Sequence, residues 1–204
     1  MSYATDNIPL RCTAQMRYAS PLGSLLLART ANGLAGAWFE AQKHHPATLD
    51  APERKDDALL QQAAHELAAY FAGSDAGFEV PLDLLGTPFQ RAVWTELLRI
   101  ERGTTCSYGE IARRLGAPSA SRAVGAAVGR NPVSIVVPCH RVLGSGGALT
   151  GYAGGLDRKT ALLRLESARA SVRHRRVVPS APPSVAIRSR SSCPAIASSA
   201  AAAR

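Results

Sequence analysis

SYGEIARRLGAPSASRAVGAAVG, residues 107–129, decides the fold of this chain. Ser107 and Glu110 stand in the S-x-x-E spacing of a capping box, which satisfies two orphan amide groups at a helix start. A helix is therefore predicted through Ile111, Ala112 and Leu115, closed by Gly116. A turn at Ala117-Pro118-Ser119 leads into a second helix with an inner stripe of Ala120, Ala123, Val124, Ala127 and Val128. Helix, short turn, helix is the helix-turn-helix arrangement. Its outer face carries Arg122, Gly125, Ala126 and Gly129. Glycine costs helix stability and alanine adds no reach, so such a face suits close approach by another backbone. That backbone belongs either to a neighbouring helix or to a nucleic acid.

Upstream, Thr87 and Gln90 repeat the capping box with Pro88 at the first helical position, and Phe89, Val93 and Leu97 follow on one face. The front of the chain reads differently. Met16 and Tyr18 alternate with polar neighbours, and apolar runs at 24–29 and 34–39 flank Asn32-Gly33, a hairpin signal of the type I′ turn. Leu60, Ala63, Ala64, Leu67 and Phe71 then recur at helical spacing, with Asp56 or Asp57 as cap and Gly73 as terminator. An antiparallel sheet with a covering helix precedes the helical segment, an α+β chain. His44 and His45 sit beside Pro46 with no Cys or carboxylate at ligand spacing, so no metal is expected.

Charge divides along the same line. Residues 1–87 carry 6 basic and 10 acidic side chains, residues 88–167 carry 11 and 5, and residues 168–204 carry 7 and 0. The excess of positive charge beyond residue 87 points to a polyanion, nucleic acid, as partner. In residues 168–204, Ala, Ser, Arg and Pro fill 29 of 37 positions, so a disordered tail is expected there. Apolar runs are too short to span a bilayer and no secretory leader is visible, so a cytoplasmic protein is expected. Cys12, Cys106, Cys139 and Cys193 are too scattered for a disulfide framework. An important thiol acts alone.

After Asn131-Pro132, the run Val133–Val137 reads as a buried strand ending at Pro138, followed directly by Cys139, His140 and Arg141. A histidine beside a rigidly held cysteine can take its proton and yield a nucleophilic thiolate. In a regular strand the two side chains would point to opposite faces, so the pair needs a bend or a bridging water.

The string NPVSIVVPCHRVLG with TGYAGGLDRKTALLRLE, residues 131–144 and 150–166, resembles the active-site region of the O6-alkylguanine-DNA alkyltransferases, whose hallmark is PCHRV. The resemblance extends back through SYGEIARRLG and SRAVGAAVGRNP to GTPFQRAVW, over about residues 86–166. It implies a ribonuclease H-like N-terminal domain over 1–85 and a winged helix-turn-helix alkyl-acceptor domain over 86–167. Cys139 falls on the alkyl acceptor, His140 on the histidine that deprotonates it through water, Glu166 on the acid that orients this histidine, and Asn131 on the asparagine that stabilises the turn. Tyr108 falls on the tyrosine that donates to guanine N3, and Arg122 on the finger that replaces a flipped nucleotide. Tyr152 and Ala153 fall on the loop closing the guanine pocket, and the carbonyls of Cys139 and Val142 on acceptors of the guanine amino group. Lys159 matches a lysine near the site, and Val128 is placed beside the pocket.

The implied partner is double-stranded DNA bearing alkylated guanine, approached through the minor groove by Arg122, Gly125, Ala126 and Gly129. The implied reaction is a single, stoichiometric transfer by a monomer with no cofactor. Ser134 stands where some relatives have proline and Ala153 where some have serine, so accepted alkyl size stays open, as does activity on O4-alkylthymine. A winged-helix regulator would have no use for Cys139 and Glu166, and a Cys-His hydrolase would have none for Arg122.

Overall fold

The computed structural model describes residues 8–46 and 48–176, with the backbone alone for 169–176. A short helix α1 (Ile8–Arg11) leads into an antiparallel sheet of β1 (Ala14–Ser20), β2 (Gly23–Arg29) and β3 (Leu34–Phe39), in that spatial order. Helix α2 (Ala58–Ala72) begins at Asp57, whose carboxylate accepts from the amides of Leu59 and Leu60, and ends at Gly73 with φ 84°. It packs Leu60, Ala63 and Leu67 into the core shared with Met16, Leu25, Leu27 and Phe39. The other face of the sheet is covered too, by Ile8, Ala51 and Leu85 against Ala28, Ala35 and Trp38. All of β3 is consequently buried.

The hairpin expected at Asn32-Gly33 forms, but not through a type I′ turn. Neither residue has positive φ. The connection is instead closed by the Thr30 amide on the Gly33 carbonyl (3.0 Å) and by the Asn32 amide on the Thr30 hydroxyl (3.1 Å). Glycine is needed at 33 because a Cβ there would stand 2.6 Å from the Pro81 carbonyl oxygen, where residues 81–83 pair with the edge of β3. The same edge receives a second segment further along. The Ala37 amide donates to the Pro132 carbonyl (2.9 Å) and the Ser134 amide to the Ala37 carbonyl (2.9 Å). Covering an edge strand removes a site of aggregation, and here it also fixes the chain leading to Cys139.

The second half comprises α3 (Pro88–Leu98), β4 (Cys106–Ser107), α4 (Tyr108–Arg114), α5 (Ser121–Gly129), β5 (Val142–Leu143) and α6 (Leu156–Arg176). Both capping boxes are present, Thr87 with Gln90 and Ser107 with Glu110. Strands β4 and β5 pair in parallel. Trp94 of α3 donates its indole N–H to the Ala127 carbonyl of α5 (2.9 Å), and α4 packs on α5 as a helix-turn-helix. One hydrophobic cluster runs through both halves, from Leu25 and Leu67 to Val93, Val124 and Leu162.

Four sequence expectations need correction. Phe89 is exposed (39%), and Trp94 takes the buried position on α3. The inner stripe of α5 is Val124, Ala127 and Val128, whereas Ala123 is exposed and Ala120 is partly so. Val133–Val137 is buried but forms no strand, because Ile135 has φ 72° and the chain folds back so that the Val137 amide reaches the Val133 carbonyl (3.0 Å). Helix α6 continues to Arg176, past the boundary expected at residue 167. The rest of the expected tail, 177–204, lies outside the described residues. No helix among the described residues is long and apolar enough to cross a membrane.

Candidate active site

Asn131 builds the pedestal of the site. Its Oδ1 accepts from the Val133 amide (3.0 Å), and its Nδ2 lies 2.8 Å from the Val137 carbonyl, 3.0 Å from Cys139 Sγ and 3.3 Å from the Val133 carbonyl. An amide has two N–H groups, so the two shorter contacts take them. The fold-back through Ile135 is what brings these acceptors around one side chain, and a strand could not do so.

Cys139–Arg141 then forms a 3-10 turn, the bend that lets adjacent side chains share one site. Cys139 is 3% exposed. Burial pushes its thiol up to about 11, against the opposing pull of the Asn131 hydrogen bond and the Lys159 charge. The resting sulfur is therefore a thiol near neutral pH, and it could act as a nucleophile only by giving up its proton.

His140 and Glu166 are both fully buried. Glu166 Oε1 is 2.9 Å from His140 Nε2, 2.9 Å from Arg141 Nη2 and 2.8 Å from the Tyr70 hydroxyl. Its Oε2 accepts from Arg141 Nε (2.9 Å) and the Gly103 amide (3.3 Å). Burial alone would raise the pKa of this carboxyl, but the His140 and Arg141 hydrogen bonds outweigh it and hold the group well below the usual carboxylate range. An ionised acceptor obliges His140 Nε2 to carry the proton. Nδ1 is left as the basic nitrogen, buried and with no hydrogen-bond partner among the described residues. Burial also lowers the pKa of His140, so the ring is neutral and ready to accept.

Helix α6 supplies two of the buried polar groups on one face, since Lys159, Leu162 and Glu166 are spaced by three and four. Lys159 donates to the carbonyls of Val142 and Thr150, both at 2.6 Å, and burial lowers its pKa. It ties the strand after the Cys139–Arg141 turn to the loop after residue 149. On that loop, the Ala153 carbonyl accepts from the Lys43 amide (2.9 Å), while the ring of Tyr152 lies where a Cβ on Gly154 would stand 2.7 Å away. Tyr108, at the head of α4, places its hydroxyl 3.4 Å and 3.3 Å from the carbonyls of Thr150 and Gly151. Burial raises the pKa of this phenol, so it stays a proton donor.

Arg122 and Gly125 line an open groove of about 440 Å³ with Tyr108, Gly109, Ser121 and Ser145. Arg122 and Ala126 are exposed. A Cβ on Gly129 would meet nothing within 4 Å, and one on Gly125 only the Tyr108 ring at 3.7 Å. Packing within the molecule therefore does not explain the small residues of this face. Val128 points the other way and is a core residue, 4% exposed.

Two family models match, the 6-O-methylguanine DNA methyltransferase ribonuclease-like domain over residues 16–84 and the DNA binding domain of the same methyltransferase over residues 88–168. The chain belongs to the 6-O-methylguanine DNA methyltransferase family. Among its relatives in that family, the methylated-DNA–protein-cysteine methyltransferase of Mycobacterium bovis is 50% identical over 151 residues, covering 74% of this chain and 90% of its own. That of Methanosarcina acetivorans is 46% identical over 151 residues, covering 73% and 95%. The crystal structure of Mycobacterium tuberculosis OGT in complex with DNA superposes with a TM-score of 0.72 at 46% identity, covering 77% of this chain and 94% of that one.

The fold brings Cys139, His140, Glu166, Asn131 and Lys159 into one buried cluster, with Tyr108 and Tyr152 close enough that a Cys139 thiolate would raise their pKa values. Arg122, Gly125, Ala126 and Gly129 lie on α5 outside it. Sequence reasoning missed Tyr70, Arg102 and Gly103, and it quoted Arg141 without giving it a task. For Arg141 the signal was its place beside the Cys-His pair. Tyr70 offered only a polar tip on an apolar helix, next to a Phe71 that fitted the stripe equally well.

Proposed function

We propose that this methyltransferase repairs DNA directly, moving the alkyl group of an O6-alkylguanine onto Cys139 in a single turnover. The observation that carries the reading is the ionised, fully saturated Glu166, which leaves His140 Nδ1 as the base for a thiol that cannot ionise unaided. As the proton leaves Sγ for Nδ1 through a bridging water, the sulfur attacks the alkyl carbon. The S–C bond forms, the C–O6 bond breaks, and the electron pair passes into guanine, where the Tyr108 hydroxyl supplies a proton at N3. The thioether product has no route to hydrolysis at this site, so each molecule acts once.

Guanine O6 inside a duplex is out of reach of a side-chain sulfur, so the nucleotide must leave the stack at a cost of a few kcal/mol. The bare face of α5 suits the minor groove, where sequence readout is poor and repair needs none. Arg122 then fills the gap in the duplex, with Gly125, Ala126 and Gly129 admitting the backbone. Tyr152 and Ala153 border the flipped base, and the carbonyls of Cys139 and Val142 receive its amino group. The first already accepts the Val142 amide and the second Lys159, but each carbonyl oxygen has two lone pairs. Val128 supports this pocket from behind. No cofactor enters these steps, and a monomer in the cytoplasm suffices. The acceptor unit is assigned from residue 86 through the end of α6, with the ribonuclease-like unit over 1–85.

Cys139→Ser tests the assignment. Serine has no accessible anion near neutral pH, so transfer from DNA containing O6-methylguanine should vanish while affinity for that DNA stays within about twofold, because the substitution is isosteric and away from α5. Transfer by this variant at a rate near the parent's would refute the nucleophile.

A further inference from the structure

The N-terminal half contributes one side chain to the catalytic cluster. We propose that Tyr70 of α2 is a positioning residue for alkyl transfer: its hydroxyl, donated to Glu166 Oε1, sets how strongly Glu166 holds His140. The inference rests on the repair reading above and adds a task for the ribonuclease-like half.

Tyr70 is 3% exposed, and its hydroxyl meets Glu166 at 2.8 Å, as short as any contact that carboxylate makes. The ring is itself held. Arg102 stacks its guanidinium 4.7 Å from the ring centroid and donates to the carbonyls of Tyr70 (3.3 Å) and Ser74, which lie at the end of α2. The same loop sends the Gly103 amide to Glu166 Oε2 and accepts Arg141 Nη1 on the Ile100 carbonyl (2.6 Å). A purely structural tyrosine needs no such apparatus, because a phenylalanine would fill the space without a buried hydroxyl to satisfy.

The groups facing His140 are Glu166 and Lys159 from α6 and Cys139 and Arg141 from its own turn, with Tyr70 and Arg102 behind Glu166. Three donors share Oε1: Tyr70, His140 and Arg141. Each draws negative charge from that oxygen and weakens its hold on the others. Loss of the Tyr70 hydroxyl leaves more charge for His140, which is then kept as imidazolium to higher pH. Imidazolium cannot accept the Cys139 proton, so the low-pH limb of the transfer rate moves upward.

The test compares the parent, Tyr70→Phe, Glu166→Asp and the double variant in single-turnover transfer from O6-methylguanine DNA across pH, with DNA affinity and thermal midpoint alongside. Tyr70→Phe should move the low-pH limb up by about half a unit, so that transfer slows about threefold on that limb and changes little above neutral pH. DNA affinity should be unchanged. In the Glu166→Asp background, where the shortened acid no longer reaches the hydroxyl, the same substitution should cost less than about twofold. An unshifted pH limb with the same fractional loss in both backgrounds would overturn the proposal, as would a Tyr70→Phe profile matching the parent's. Failure of the repair reading looks different, since the parent itself would then form no adduct.

Discussion

Glu166 and Gly129 lie in the same half of the molecule and in opposite surroundings. Five hydrogen-bond donors from four residues converge on the carboxylate of Glu166, which is 1% exposed. Around Gly129, nothing stands within 4 Å of where a side chain would begin. The contrast separates two demands. A base that must take a proton from a buried thiol needs its partners fixed before substrate arrives, so that no reorganisation accompanies the reaction. A face that must admit DNA needs the reverse, since any side chain satisfied within the protein would obstruct the approach. Substitutions at the first place should damage fold and chemistry together, and those at the second should damage only what the protein does with DNA.

The largest effect is expected at Glu166→Ala. It leaves His140, Arg141 and Tyr70 buried around a lost acceptor, and should cost about 3–5 kcal/mol in denaturant unfolding as well as nearly all transfer. The depressed pKa of Glu166 gives a linked expectation. A carboxyl held below its unfolded value contributes stability that is complete above about pH 4.3 and is lost as pH falls further. The lowered pKa of His140 acts in the same direction, its contribution declining once pH falls below about 6.5. The parent should therefore lose stability steadily on acidification, and Glu166→Ala should lose less over the lower part of that range. Parallel stability curves for the two proteins would separate Glu166 from the acid response.

Arg122→Ala comes next. Its side chain is exposed and the task proposed for it begins only in the duplex, so repair of double-stranded DNA should slow by about ten- to a hundredfold with the unfolding free energy within about 0.5 kcal/mol of the parent's. Reaction with free O6-alkylguanine base should change little. Equal losses on both substrates would move Arg122 from the DNA face to the pocket.

Gly129→Leu should have the smallest effect on the protein itself. A side chain there meets open space and replaces a helical glycine, so stability should hold or rise by up to about 1 kcal/mol. DNA affinity should nonetheless fall by about tenfold or more, because the new side chain occupies the approach of the backbone. Loss of stability with unchanged DNA affinity would place Gly129 in internal packing.

These expectations also indicate what the sequence could carry. The helix-turn-helix was legible because Ser107, Glu110 and Gly116 mark helix ends through local hydrogen bonds and φ angles, which neighbouring residues determine. The bare face of α5 was legible from spacing alone. The pedestal under Cys139 was not, because β-branched residues at 133 and 135–137 favour a strand, and only the long-range pairing of 132–134 with Ala37 and the four contacts of Asn131 hold Ile135 at positive φ. Periodicity likewise could not choose between Tyr70 and Phe71, since the partner that distinguishes them is 96 residues away.

The central claim is that Cys139 keeps the alkyl group. Incubating the protein with duplex DNA bearing one O6-methylguanine, then digesting it and weighing the peptide that contains Cys139, measures this directly. The account predicts a stable gain of one methyl group on that peptide, one per protein molecule, with guanine restored in the DNA. An unchanged Cys139 peptide, or repair of more lesions than there are protein molecules, would contradict it.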